Sequence, residues 1–306
     1  MLYISTRNIN ETFTAYRALN EEFAPDEGLY IPYRMPVLSA EMLAALREKT
    51  VFENIADILN LFFSMRISAS DVETYIGRFA FGFYEISQNV LFAELWRTPE
   101  SSGDFVFKGL YRMMTGKAEM PKGWAYIAIQ IALLFCVYGA MDRKYREFDA
   151  VIPADDFMDL TAVLYAKDMG LPVNRIICAC GENDTAWDLV NNGEFHTSHA
   201  PVYIEHLLYK YTGNQGVNTY TDICAKKGVY VMDEITAEKI KTELYAAVVS
   251  AGRIDTVISS MYGANGYGIA PGTALAYGGL QDYRASVGAN EHTVIFAKER
   301  PERIKE

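Results

Sequence analysis

Residues 148–179 read FDAVIPADDFMDLTAVLYAKDMGLPVNRIICA. The run from Phe148 to Pro153 is short, partly β-branched and closed by proline. Residues 160–169 space their apolar side chains at helical intervals and stop at Gly170, and residues 175–179 form a second short apolar run. Strand, helix and strand in that order make a βαβ unit, which needs a parallel sheet with helices on its faces. The fold class is therefore α/β. Ligands of open α/β sheets gather at the carboxyl ends of the strands, and the amides that open a helix attract anions. Here the loop between strand and helix reads ADDFMD over residues 154–159, and its three carboxylates would repel an anion.

A chain of 306 residues that is 50% apolar and 22% charged can bury a substantial core in one large or two modest domains. The formal charge of −11 argues against a nucleic-acid partner, which needs a basic face. Cys136, Cys178, Cys180 and Cys224 have neither zinc-site nor disulfide-framework spacing, which fits a reducing compartment. The opening MLYISTRNINETF has no basic segment followed by an apolar run and a cleavage site, so the expected location is the cytoplasm. Residues 124–141, WAYIAIQIALLFCVYGAM, approach the length of a membrane span. This is the one such run, Gln130 sits near its middle, and a central helix buried on all sides has the same pattern. We expect the buried helix and no membrane association.

Helical spacing recurs at residues 13–23, 39–49, 51–63 and 70–79, with Ser39 and Ser70 as caps, and these define a helical amino-terminal unit, residues 1–98. The turn-rich stretch 97–109 marks a change of organisation, after which residues 99–306 form the α/β domain. In the last third, helices are expected at 236–250, 255–262 and 274–284, and a buried strand at 293–297. No internal repeat is visible. The 21 tyrosines are scattered, as packing residues are.

Several stretches carry a family likeness. Tyr3 to Asn8, YISTRN, and Ala24 to Pro32, APDEGLYIP, resemble the opening signature of threonine synthase, a fold-type II pyridoxal-phosphate family, with its STRG and APDGGLYVP. AKDMGLP at residues 166–172, GEND at 181–184 and YGIAPGTA at 267–274 are similar to further family segments, so the likeness runs from end to end. The resemblance implies the large domain of that fold. It also implies a cofactor lysine, for which Lys108 is the candidate, in a segment where the family reads close to FHGPTLAFKD and this chain places extra residues and Gly109.

The implied cofactor site is altered at each of its parts. Only residues 110–122 separate Lys108 from a stretch similar to the helix that follows the family's small subdomain, so that subdomain is expected to be missing. With it would go one wall of the cleft. The family's phosphate cup, PTGNFGN, corresponds to Pro153 to Asp159. Asp155 and Met158 stand at its glycines, Asp156 and Asp159 at its asparagines, and Phe157 at its phenylalanine. Two added carboxylates oppose a phosphate dianion by several kcal/mol at an effective dielectric of about 20. The family's ATAHP, whose threonine faces the pyridine nitrogen, corresponds to Ala297 to Pro301, with Lys298 for the threonine.

Each candidate also has a plainer reading. Lys108 could form a Schiff base if buried, or be a surface lysine on a helix. Asp155, Asp156 and Asp159 have the DDxxD spacing that holds magnesium, but aspartates at a helix start are ordinarily caps. His196, His199 and His206 are expected to face solvent rather than converge on a metal, and Cys178 and Cys180 to be packing on a strand. Gly263 to Gly272 is expected to be a turn.

The expectation is thus a threonine synthase-like protein that works without pyridoxal phosphate, as a small-molecule enzyme or as a binding or partner protein. Two alternatives stand beside it. One is an active lyase that uses Lys108 to convert phosphohomoserine to threonine. The other is a magnesium enzyme built on Asp155, Asp156 and Asp159. Loss of a subdomain would expose sheet edge or apolar surface, so a homo-oligomer or protein partner is expected.

Overall fold

The computed structural model describes residues 1–97, 104–154, 157–182 and 184–301. Strand β1 (Leu2–Ser5) pairs antiparallel with β2 (Phe13–Thr14) and, beyond α1 (Ala15–Asn20), with β3 (Tyr30–Pro32). Helices α2 (Ala40–Ala45), α3 (Val51–Phe63) and α4 (Ala69–Ile76) follow. Ser39 caps α2 as expected, while α4 is capped by Ser68, whose hydroxyl and Asp71 satisfy each other's backbone amides, and not by Ser70.

Strands β4 (Gly82–Ser87) and β5 (Val90–Glu94) form a hairpin, followed by α5 (Asp104–Thr115) and α6 (Trp124–Ala140). Only residues 116–123 lie between these two helices, so no subdomain stands there. Then come β6 (Phe148–Pro153), α7 (Met158–Asp168), β7 (Val173–Cys180), α8 (Thr185–Asn192), β8 (Glu194–His196) and α9 (Ile204–Cys224), which bends at Gly213. The chain continues through β9 (Val229–Val231), α10 (Glu234–Glu243), β10 (Leu244–Val248), α11 (Ala251–Asn265) and α12 (Pro271–Val287) to β11 (Thr293–Ala297).

Six strands form the main sheet in the order β10-β7-β6-β11-β5-β4, parallel throughout except for β4 against β5. The βαβ unit of residues 148–180 lies at its centre. Alternate residues go to opposite faces, as a strand requires. Val90, Phe92, Val151, Ile177 and Ile295 join a cluster with Val257, Met261, Ala274 and Leu280 of α11 and α12. Leu91, Ala93, Ala150, Ile152, Ile176, Val294 and Phe296 join the larger core on the other side. There α6 is buried along its length, with Gln130 only 2% exposed, and no helix among the described residues is long and apolar enough to cross a membrane.

Two expectations need correction. The helix expected at 236–250 ends at Glu243, because Leu244 to Val248 pair with Ile176 to Cys180 as an edge strand. A short apolar run such as LYAAV suits either element, and the hydrogen bonds offered by β7 decide it. Residues 1–98 are also not purely helical. They supply a three-stranded sheet and, in β4 and β5, two strands of the main sheet, with Phe92 opposite Ile295 of β11. The division at 98/99 therefore does not follow the sheet.

The amino-terminal signature is a clasp. Ser5 donates to Asp26 at 2.7 Å, the Gly28 amide donates to the same oxygen, and a Cβ at Gly28 would lie 2.1 Å from Ser5 Oγ, so only glycine allows this approach. Thr6 and Arg7 reach Glu205 of α9, which is 2% exposed, and Arg7 Nη2 lies 2.9 Å from its Oε2. Removing one member of a buried ion pair leaves an uncompensated charge and costs about 3–5 kcal/mol. Arg7→Ala should lower the urea midpoint of unfolding by the equivalent of about 3 kcal/mol, with a smaller drop for Glu205→Gln, which keeps a hydrogen-bonding group and removes the charge.

Candidate functional site

The register Ala297↔Glu94 and Pro153↔Ala179 brings the carboxyl ends of β5, β11, β6 and β7 to one edge, where open α/β sheets bind ligands. Lys298 is the first residue beyond β11 and Asp159 lies in the first turn of α7. The Lys298 ammonium pairs with Asp159 and donates to Tyr126 Oη of α6 at 2.9 Å, while Tyr126 donates to Asp159 at 3.3 Å. The lysine side chain is 28% exposed and the aspartate 14%. Burial alone would lower the lysine pKa, but the Asp159 charge and the hydrogen bonds outweigh it and hold the pKa above its ordinary value. Lys298 is therefore a fixed cation at neutral pH.

A second group stands beside the first. Glu94, at the end of β5, is fully buried; it accepts from Tyr267 and pairs with Arg97. The Tyr267 ring stacks on Tyr84 with centroids 3.8 Å apart and planes within 4°. Burial, then the hydrogen bond to Glu94, raises the Tyr267 phenol pKa, so this ring stays protonated.

Of the residues singled out from sequence, Asp159 and Lys298 are brought together. Asp155 and Asp156 lie outside the described residues. Phe157 is buried before α7 at φ +67°, an uncommon conformation for a bulky residue that costs about 1–3 kcal/mol. Lys108 lies on α5 with its side chain exposed, while its neighbour Phe107 stacks on Tyr126 with centroids 4.4 Å apart and planes at 12°. Among the described residues no three His, Cys, Asp or Glu side chains gather as a metal site.

His196 and His199 are exposed, as expected. His206 is not: it is 1% exposed, with its Nδ1 3.4 Å from Tyr165 Oη and its ring 6.2 Å from that of Trp124. It sits one residue beyond Glu205, and the clasp draws this turn of α9 into the core. Cys178 and Cys180 are buried in β7, and burial raises both thiol pKa values, which makes them inert packing. Sequence reasoning misses Tyr126, Glu94, Arg97 and Tyr267 as members of the site. Tyr126 is one aromatic residue in an apolar helix, and Glu94 one acid in a strand, so neither carries a sequence signal.

Comparison with known proteins gives one direction. Residues 2–79 match the family described as threonine synthase N terminus. Threonine synthase-like 1 of Mus musculus is 25% identical over 174 residues, 50% of this chain and 23% of that protein. The chain thus spans less than a quarter of that relative's length. The crystal structure of a threonine synthase from Brucella melitensis with pyridoxal phosphate bound superposes with a TM-score of 0.84 at 18% identity, covering 98% of this chain and 89% of that one. The yeast threonine synthase gives 0.83 at 16% identity, covering 98% and 87%. The fold is that of the threonine synthases.

The geometry at His206 sets a pH dependence. Burial pushes its pKa down to about 3. The unfolded chain binds a proton on this residue below about pH 6.5, whereas the folded chain does not until about pH 3, so stability falls as pH falls through this window. Between pH 7 and pH 5 the loss should be about 2 kcal/mol, read as a shift in urea midpoint, and His206→Gln should remove that component of the slope.

Proposed function

We propose that this chain, a divergent relative of the threonine synthases, no longer seats pyridoxal phosphate at the inherited edge of its sheet and works as a cofactor-independent binding protein or small-molecule enzyme of the cytoplasm. The observation that carries this reading is the Lys298–Asp159–Tyr126 cluster. A phosphate at a helix start needs free amides and glycines that let the backbone approach. The first turn of α7 instead carries Asp159, already engaged by an ammonium, and is preceded by the buried Phe157 and, in sequence, by Asp155 and Asp156. The residues present fit the cofactor poorly.

One observation favours the lyase reading. The stacking of Phe107 on Tyr126 sets α5, and with it Lys108, next to the Lys298 cluster, where a cofactor lysine would have to lie. The magnesium reading has less support, since Asp159 is engaged by Lys298 and Tyr126. Self-association remains part of the proposal, with β4 and β10 as the edge strands of the sheet. A monomer by light scattering at all concentrations would count against it.

The purified protein incubated with pyridoxal phosphate and reduced with borohydride should show no stoichiometric lysine adduct by mass spectrometry and no aldimine absorbance. A stoichiometric adduct on Lys108, lost in Lys108→Ala, would overturn the reading, and threonine release from O-phosphohomoserine would then establish the lyase.

A further inference from the structure

Residues 226–234 read KKGVYVMDE, so two lysines precede β9, two acids follow it, and its middle is apolar. Strand β9 pairs antiparallel with β8 along one edge, and among the described residues no strand takes up the other. The Met232 N–H donates to the Gly193 carbonyl at 2.9 Å and the Thr197 N–H to the Gly228 carbonyl at 3.1 Å. Hydrogen-bonded residues alternate along an antiparallel ladder. The backbone groups of Tyr230 therefore face β8, and the N–H and C=O of Val229 and Val231 point to the open edge.

The side chains alternate as well. Tyr230 is buried, with its ring centroid 5.6 Å from that of Phe195 and 5.7 Å from that of Tyr220, which holds the strand in place. Val229 is 39% exposed, Val231 61%, and Ile235 at the start of α10 72%. Like charges along an edge strand keep a second edge away. Here Lys226, Lys227, Asp233 and Glu234 are all exposed, and their signs are opposite at the two ends. Turned antiparallel to itself, the strand meets its own complement. A two-fold axis at Tyr230 sets Val229 opposite Val231 of a second copy, and Val231 opposite its Val229, so the outward N–H and C=O groups form reciprocal pairs. The lysines of each copy then lie beside the acids of the other, whereas a parallel approach would bring like charges together.

We propose that β9 is a docking edge for a second copy of this chain, which continues the small sheet as β8-β9-β9-β8 across a two-fold axis. This surface rests on the self-association proposed above and goes beyond it, because neither β4 nor β10 has lysines at one end and acids at the other. Two short strands bury little area, so the dimer is weak and salt-sensitive.

Sedimentation velocity of the full chain up to roughly 500 µM, at low and at high salt, tests the proposal. The parent should form a dimer that salt weakens. Lys226→Glu combined with Lys227→Glu changes only exposed side chains, so it should fold as the parent does by circular dichroism and dimerise roughly ten-fold more weakly. Val231→Pro removes an outward N–H where an edge strand tolerates proline, and should weaken the dimer likewise. In the parent, hydrogen exchange at the Val229 and Val231 amides should slow as protein concentration rises. A dimer equally stable in both variants would mean that association runs through another edge, overturning this surface and leaving self-association standing. A parent that stays monomeric throughout would overturn both.

Discussion

Helix α6 carries no charged residue from Trp124 to Ala140, and nearly every position in it is buried. Such a helix cannot lie on a surface, so other elements have to enclose it. Helices α3 and α7 pack along it, and α1, α2 and α5 touch it as well. Tyr3 of β1 donates to the Phe62 carbonyl of α3 and its ring meets Trp124 at 5.9 Å, which ties the amino-terminal sheet to the same helix. This enclosure is why the amino-terminal helices and the α/β layers share one core. It also brings Tyr126, the one partly exposed residue near the start of α6, to the carboxyl edge of the sheet.

At that edge the chain compensates its charges internally. Lys298 follows a central strand and meets Asp159 at the start of α7; Glu94 ends a neighbouring strand and meets Arg97 and Tyr267. The Lys298–Asp159 pair and the Tyr267–Glu94 hydrogen bond join segments far apart in sequence, and each stands where an open sheet of this kind would hold a ligand. The two pairs differ in what they leave over. Lys298 and Asp159 satisfy each other, so that corner is closed. Glu94 is buried and Arg97 half exposed, so the second corner balances its charge while leaving its guanidinium partly open to solvent.

Periodicity made the central βαβ unit legible, with β6 and β11 at the expected residues and α7 beginning two residues earlier than expected. It failed at β10 and at the β4–β5 hairpin, where short apolar runs fit either element and only pairing partners distant in sequence choose between them. In the site, Lys298 and Asp159 were legible because a family motif put a different residue at each position. Tyr126 and Glu94 were not, since one phenol in an apolar helix and one acid in a strand look like packing until the fold sets a partner beside them. His206 departs from its expected exposure for a related reason: its neighbour Glu205 is drawn inward by the distant Arg7.

The clasp also explains why the amino-terminal likeness carries so little information about chemistry. Ser5, Thr6, Arg7, Asp26 and Gly28 are the residues by which that segment is recognised, and their hydrogen bonds close on one another and on Glu205. Their side chains hold β1 against α9. A chain can keep them because its fold requires them, whatever becomes of the site. The match over residues 2–79 therefore speaks to architecture. Activity has to be argued from the carboxyl edge of the main sheet, where the Lys298 and Glu94 pairs stand.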